Sequence, residues 1–188
     1  MTEVLIILGL IILNGFFSMA EIALVSARKA RLEAQAAKGD VDAKRALDLA
    51  NHPDTFLSTI QIGITLVGVL TGIYSGDTFK EPLQNWLSQY GTFGEYASTV
   101  ATIIIVIIVT YLSLVLGELV PKRIGLSNPE GIAKSVAGPM RVVTWITYPF
   151  IWLLSKSSHL IMRLLNMKPN DNQVTEEEIK AMISEGSE

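Results

Sequence analysis

The chain has 188 residues, 49% hydrophobic and 18% charged, with a net charge of -3 and a mean hydropathy of +0.40. A soluble domain carries about 25% charged residues, and disordered chains are richer still in charge, so this composition excludes disorder and requires an apolar environment. With no cysteine, and only His52 and His159, it also excludes a disulfide framework, an iron–sulfur cluster and the usual zinc or copper sites, while the negative charge argues against nucleic acid as a partner.

Val4 to Val25 is apolar except for Asn14, Ser18 and Glu21. It lacks a basic leader and a cleavage site, so it reads as a retained membrane helix rather than a signal peptide. Phe56 to Tyr74 is a second apolar stretch, interspersed with Ser58, Gln61, Thr65 and Thr71. The third, Val100 to Val120, contains the unbroken run Ile103 to Val109, and its only charge is Glu118. Each approaches or exceeds the roughly 20 residues that cross a bilayer core.

Loop charges orient these spans. Arg28, Lys29, Arg31, Lys38, Lys44 and Arg45 separate the first two, whereas Lys80 stands against Asp77, Glu81 and Glu95 between the second and third. Lys122 and Arg123 follow directly after the third. The positive-inside rule then puts the 28–54 segment and the C-terminal part in the cytoplasm and the N-terminus outside. The expected location is the cell membrane.

Gly138 to Leu165 is aromatic and apolar but is interrupted by Pro139 and Pro149 and bracketed by Arg141 and Lys156. It reads as two interfacial helices broken at Pro149 rather than as a fourth span. Lys168 to Gln173 is a polar linker; Thr175 and Glu178 then form a capping-box pattern ahead of Ile179, Met182 and Ile183. That last helix is too short to fold alone and reads as the entrance to a further domain.

The expected fold is therefore an all-α membrane protein. Residues 1–136 form a transmembrane domain with spans at about 4–26, 55–75 and 98–121. Residues 137–168 form juxtamembrane helices, and 169–188 begin a cytoplasmic linker. Asp54 reads as the N-cap of the second span; His52 and His159 read as solvent-facing or capping groups.

Polar residues inside spans are functional candidates. Asn14, Ser18 and Glu21 share one helix face, with Asn14 read as interhelical glue. Ser58, Gln61 and Thr65 share another, which Gly68 and Gly72 continue as a close-packing surface. The sharpest feature is Leu116-Gly-Glu-Leu-Val-Pro-Lys-Arg123. Pro121 crowds the carbonyl of Gly117, so the helix is expected to kink and release that oxygen beside the Glu118 carboxylate. Hard oxygens of this kind suit Mg²⁺, Ca²⁺ or Na⁺. No nucleophile–base pair or phosphate-binding loop suggests an enzyme.

Three motifs in order, Asn14-Gly-Phe-Phe-Ser-Met-Ala-Glu-Ile-Ala-Leu24, Phe56-Leu-Ser-Thr-Ile-Gln-Ile-Gly-Ile-Thr65 and Leu116 to Arg123, resemble the transmembrane domain of the CorC/CNNM magnesium transporters, also labelled hemolysin-C-like. The resemblance runs from about residue 4 to the chain end. It implies a homodimer in the lipid bilayer, with a following CBS-domain pair that binds ATP and is absent from this chain. It further implies Mg²⁺ efflux driven by Na⁺ through a site that holds a largely dehydrated ion. The family's ligands would fall on Ser18, Ser58, Gly117 and Glu118, with Glu21 close by. Many members carry asparagine after the glycine of the second motif; here Gly63 precedes Ile64 and Thr65, and Thr65 is the candidate replacement. The alternative readings are a Mg²⁺-sensing anchor and dimeriser for CBS domains, or an accessory subunit of another channel.

Overall fold

The computed structural model describes residues 2–89 and 94–165. The expected linker and capping-box helix lie outside the described residues. Two compact units divide the chain, one ending at Ile151 and the other beginning at Trp152.

Helix α1 spans Thr2–Ser26. It buries Ile7, Ile11, Gly15 and Ser18, which recur at the spacing of one helix face, while Leu5, Ile12 and Leu13 on other faces are exposed. Two short helices follow, α2 at Lys29–Ala37 and α3 at Val41–Asn51. Gly39 joins them at φ +92°, a conformation glycine adopts without Cβ strain. Asp40 then caps α3, its Oδ1 accepting from the amides of Asp42 and Ala43 at 3.0 Å each. Leu32, Ala43 and Ala46 are fully buried, so the charge-rich 28–54 segment is a packed helical pair and not a loose loop.

Helix α4 runs from Pro53 to Ser88 and continues through Pro82, well past the apolar stretch seen in the sequence. Its N-cap is His52, not Asp54. Pro53 carries the fixed φ suited to the first helical position and so moves the start one residue earlier than expected. Asp54 instead sits in the first turn, where the helix dipole favours a carboxylate. His52 is exposed, with Nδ1 2.9 Å from the Asp48 carbonyl.

A 3₁₀ turn at Gly94–Tyr96 precedes α5, Ala97–Leu114. The start of α5 packs on the end of α4 through Leu87, Ala97 and Ala101. The chain then passes through a π turn at Val115–Leu119 into α6, Val120–Ser127. Among the described residues three helical stretches are long and apolar enough to cross a membrane: Thr2–Ser26, Pro53–Ser88 and Ala97–Ser127. No strand occurs among the described residues. The protein is thus an all-α membrane protein.

Helix α7, Pro129–Leu164, corrects one expectation: it passes through Pro139 and Pro149 without breaking into two helices. Each proline removes one amide donor and crowds one carbonyl, but the neighbouring turns remain intact. Ala133, Val136, Ala137 and Met140 hold the first half in the main core with Phe17, Leu24 and Ile60. Thr59 of α4 also donates to Thr144 Oγ1 at 3.3 Å. On the outer face Trp145, Tyr148 and Phe150 are exposed, as suits aromatic side chains at a headgroup boundary. In the unit beginning at Trp152, Lys156 Nζ lies 4.2 Å from the Trp152 ring centroid, and His159 is exposed with Nδ1 2.8 Å from the Ser155 carbonyl.

Two ion pairs tie the α2–α3 pair to α7. Lys134 Nζ lies 3.0 Å from Asp40 Oδ2, and Arg31 lies 3.6 Å from Glu130. The amide of Ala43 and the bond from Lys134 hold the Asp40 carboxyl below its ordinary value of 3.8. The Glu130 carboxyl is also lowered, first by its own backbone amide, then by the Arg28 amide and the Arg31 charge.

Candidate cation site

The site begins with Pro121. Its ring cannot share a regular α turn with the Gly117 carbonyl, and the chain answers by widening Val115–Leu119 to a π turn, in which Val120 N–H bonds to Val115 O. The Gly117 oxygen accepts from Asn14 Nδ2, 3.1 Å away on α1. The kink expected at this position is therefore a π turn. Such turns recur at functional positions because they re-aim side chains.

Two glycines let the helices meet this closely. A Cβ on Gly15 would lie 2.9 Å from Pro121 Cγ, and one on Gly117 would lie 3.1 Å from Asn14 Nδ2. A side chain at Gly15 would force the Pro121 ring to shift, and one at Gly117 would press on the Asn14 amide where α1 crosses the widened turn.

Glu118 projects beside this crossing. Its Oε1 accepts from Lys122 Nζ at 2.8 Å, and the same ammonium lies 3.7 Å from Glu21 Oε2 on α1. All three side chains are about a third exposed, between 31% and 40%. Two carboxylates and one ammonium leave the cluster one negative charge in excess.

Glu118 also lines a cavity of about 250 Å³ between α1, α4 and α5, together with Asn14, Thr71, Thr110 and Ser113. Thr71 donates to its own backbone at Val67 O, which leaves its oxygen free to accept. Asn14 Oδ1 is buried and has no hydrogen-bond partner among the described residues. In a regular α-helix Leu116 and Gly117 would follow Ser113 on its face. The wider turn carries Glu118 onto the Ser113 side, which puts a carboxylate among hydroxyls.

The residues singled out from sequence are distributed unevenly. Glu118, Gly117 and Glu21 are gathered around the π turn. Ser18 is buried on α1, one turn beyond Asn14, at 1% exposure. Ser58 is half-buried near the start of α4, and Thr65 is exposed. No hydrogen bond joins Ser18, Ser58 or Thr65 to Glu118 among the described residues. No group of three or more His, Asp or Glu side chains is placed to hold a metal among them either. Sequence reasoning missed Lys122 as a partner of Glu118, and the hydroxyls Thr71, Thr110 and Ser113. The signals were an i,i+4 carboxylate–lysine pair and hydroxyls three apart in an otherwise apolar run.

Three helical stretches long and apolar enough to cross a membrane, with no strand among the described residues, define a class, that of all-α membrane proteins. More narrowly, the chain belongs to the CNNM family, described as the cyclin M transmembrane N-terminal domain, whose model matches residues 5–188. It is 46% identical over 187 residues to a UPF0053 protein of Synechocystis sp., covering 99% of this chain and 42% of that protein. It is 30% identical over 188 residues to the polyamine export protein of Escherichia coli K12, covering 100% and 42%. Against the polyamine export protein of Haemophilus influenzae the figures are 32% over 186 residues, 98% and 43%. The chain thus spans about two fifths of the length of these relatives.

Proposed function

We propose that this domain exports Mg²⁺ across the cell membrane in exchange for Na⁺, with the ion engaged by Glu118, the Gly117 carbonyl, Ser18 and Ser58. The observation that carries the reading is the π turn, beside which the Gly117 oxygen accepts from Asn14 next to Glu118. Irregular backbone at membrane depth is tolerated where it lines a cavity or is buried in protein, and carboxylate, carbonyl and hydroxyl oxygens are the donors a hard divalent cation prefers. Glu21 and Thr65 complete the candidate ligand set. Topology follows the loop charges, with the N-terminus outside and the C-terminal part cytoplasmic.

The working unit in this reading is a homodimer. Gly68 and Gly72 are exposed, and a Cβ on either would meet nothing within 4 Å, so α4 keeps a small-residue surface available to a second copy. A detergent-corrected mass measurement tests this, and a monomer at every concentration would refute it.

A second reading has its own support. Two relatives at 30% and 32% identity carry the name polyamine export protein. In this chain a primary alkylammonium, that of Lys122, already sits against Glu118 and Glu21. Proteoliposome flux separates the two. Mg²⁺ efflux that depends on a Na⁺ gradient and resists putrescine supports the first. Putrescine transport without Mg²⁺ transport overturns it in favour of the second.

A further inference from the structure

We propose that Lys122 is a tethered counter-ion that occupies the Glu118 carboxylate until a cargo cation displaces it, and that Glu21 receives the displaced ammonium. This rests on the reading of Glu118 as the cargo-binding group and adds the element that makes binding reversible.

The geometry is asymmetric. Lys122 Nζ is 2.8 Å from Glu118 and 3.7 Å from Glu21, one short bond and one longer approach. Lysine carries a compact charge on a flexible four-carbon stem with three donors. Its ammonium can therefore pass from one carboxylate to the other with no movement of the backbone. An arginine fork fixed on one carboxylate would lack that freedom.

Glu118 also has two sides. It lines the cavity with Asn14, Thr110 and Ser113, whereas neither Lys122 nor Glu21 is among the lining residues. A cation arriving through the cavity meets Glu118 on the face the lysine leaves open. The two positive charges then compete for one carboxylate, and the mobile one yields toward Glu21. When the ammonium returns, it expels the cargo. Transport requires a site that attracts its ion strongly enough to load and weakly enough to unload. An attached competitor supplies the second half. Removing it leaves two uncompensated carboxylates, which hold a divalent ion too tightly to release.

The experiment titrates Mg²⁺ calorimetrically into the purified chain, its variants Lys122→Gln, Lys122→Arg, Glu21→Gln and Glu118→Gln, and measures their flux in proteoliposomes. Lys122→Gln is expected to bind Mg²⁺ about tenfold more tightly or better and to transport it more slowly, while Lys122→Arg, fixed on Glu118, is expected to bind it more weakly than the parent. Glu21→Gln removes the receiving carboxylate and weakens binding by a smaller factor. Unchanged or weaker binding by Lys122→Gln overturns the proposal. A measurement on the unaltered chain guards against variants that do not fold. Saturating Mg²⁺ should accelerate acetylation of Lys122 by acetic anhydride, read by peptide mass spectrometry, and a rate that is unchanged or slower also overturns it. Wild-type affinity in Glu118→Gln would defeat the underlying site. Loss of binding in Glu118→Gln, with no change in Lys122→Gln, would defeat the lysine's role alone.

Discussion

Asn14 on α1 donates its side-chain amide to the Gly117 carbonyl at 3.1 Å, a bond between residues 103 positions apart. It pairs the acceptor beside which Pro121 forbids a regular turn, and it fixes α1 against the widened turn that carries Glu118. The reading of Asn14 as interhelical glue thus has a specific partner.

Asn14→Ala leaves a buried carbonyl without its donor, a loss of about 1–3 kcal/mol. The expected outcome is a lower unfolding midpoint in a detergent thermal-shift assay, with Asn14→Leu behaving alike because shape without a donor does not help. An unchanged midpoint would mean that the carbonyl finds another partner.

Pro121→Ala restores an amide and removes the crowding. Proline costs about 3 kcal/mol relative to alanine in a helix interior, so the variant should be at least as stable as the parent. As the π turn tightens to α, the following residues rotate by about 100° per residue lost from the turn, and Glu118 leaves the Ser113 side. We expect loss of transport with retained or raised thermal stability, a combination that separates positioning from folding. Full flux would detach the turn from function.

The spans were legible because their apolar runs match a bilayer's thickness, a constraint that operates on composition alone. The strain at Pro121 was legible too, since proline names the carbonyl it disturbs. What the strain became was not legible: a π turn shifts register by one residue, and a reading made at α spacing therefore passes over Ser113 and Thr110 as neighbours of Glu118. Lys122 was hidden for a different reason, since its charge served to orient the chain and its reach toward two carboxylates depends on where α1 lies. Pro149 misled because a proline inside a helix weakens one turn without necessarily ending it, and α7 continues through this one.

The Asp40 clasp has a definite pH dependence. Its carboxyl is lowered below 3.8, chiefly by the Ala43 amide and the Lys134 bond. A lowered acid holds fewer protons folded than unfolded, so its stabilisation is complete above that ordinary value and fades as pH falls through the folded value. Protection of the α2–α3 pair against hydrogen exchange, corrected for the falling intrinsic rate, should decrease as pH drops from about 5 to about 3. Asp40→Asn should flatten that response, and an identical profile in the variant would assign it to other carboxylates.

Topology is open to a direct test because the chain has no cysteine to interfere. From the loop charges, a cysteine introduced at Gly76 should label with an impermeant thiol reagent from outside intact cells, and one at Gly39 should not. Gly39 is exposed between α2 and α3, so protection there would reflect the membrane and not burial. The reverse pattern would invert the assignment.

The ligand set makes the sharpest demand. Mg²⁺ prefers near-octahedral oxygen at roughly 2.0–2.1 Å and gives up water reluctantly, so charge and neutral donors should contribute unequally. Glu118→Gln keeps the shape and removes the charge, and it should abolish Mg²⁺ binding in a calorimetric titration. Ser18→Ala and Ser58→Ala each remove one neutral oxygen and should weaken binding by a smaller step. Neither serine bonds to Glu118 among the described residues, so a loss on their removal would mean that the helices close further around the ion. Thr65 is exposed on α4. If it stands in for the asparagine that many family members carry, Thr65→Ala should weaken binding as much as either serine variant does. If Thr65→Ala binds as the parent while Thr110→Ala or Ser113→Ala does not, the neutral donors come from the α5 side of the cavity. The ion would then sit on the hydroxyl face of Glu118, one turn away from the position the three motifs imply.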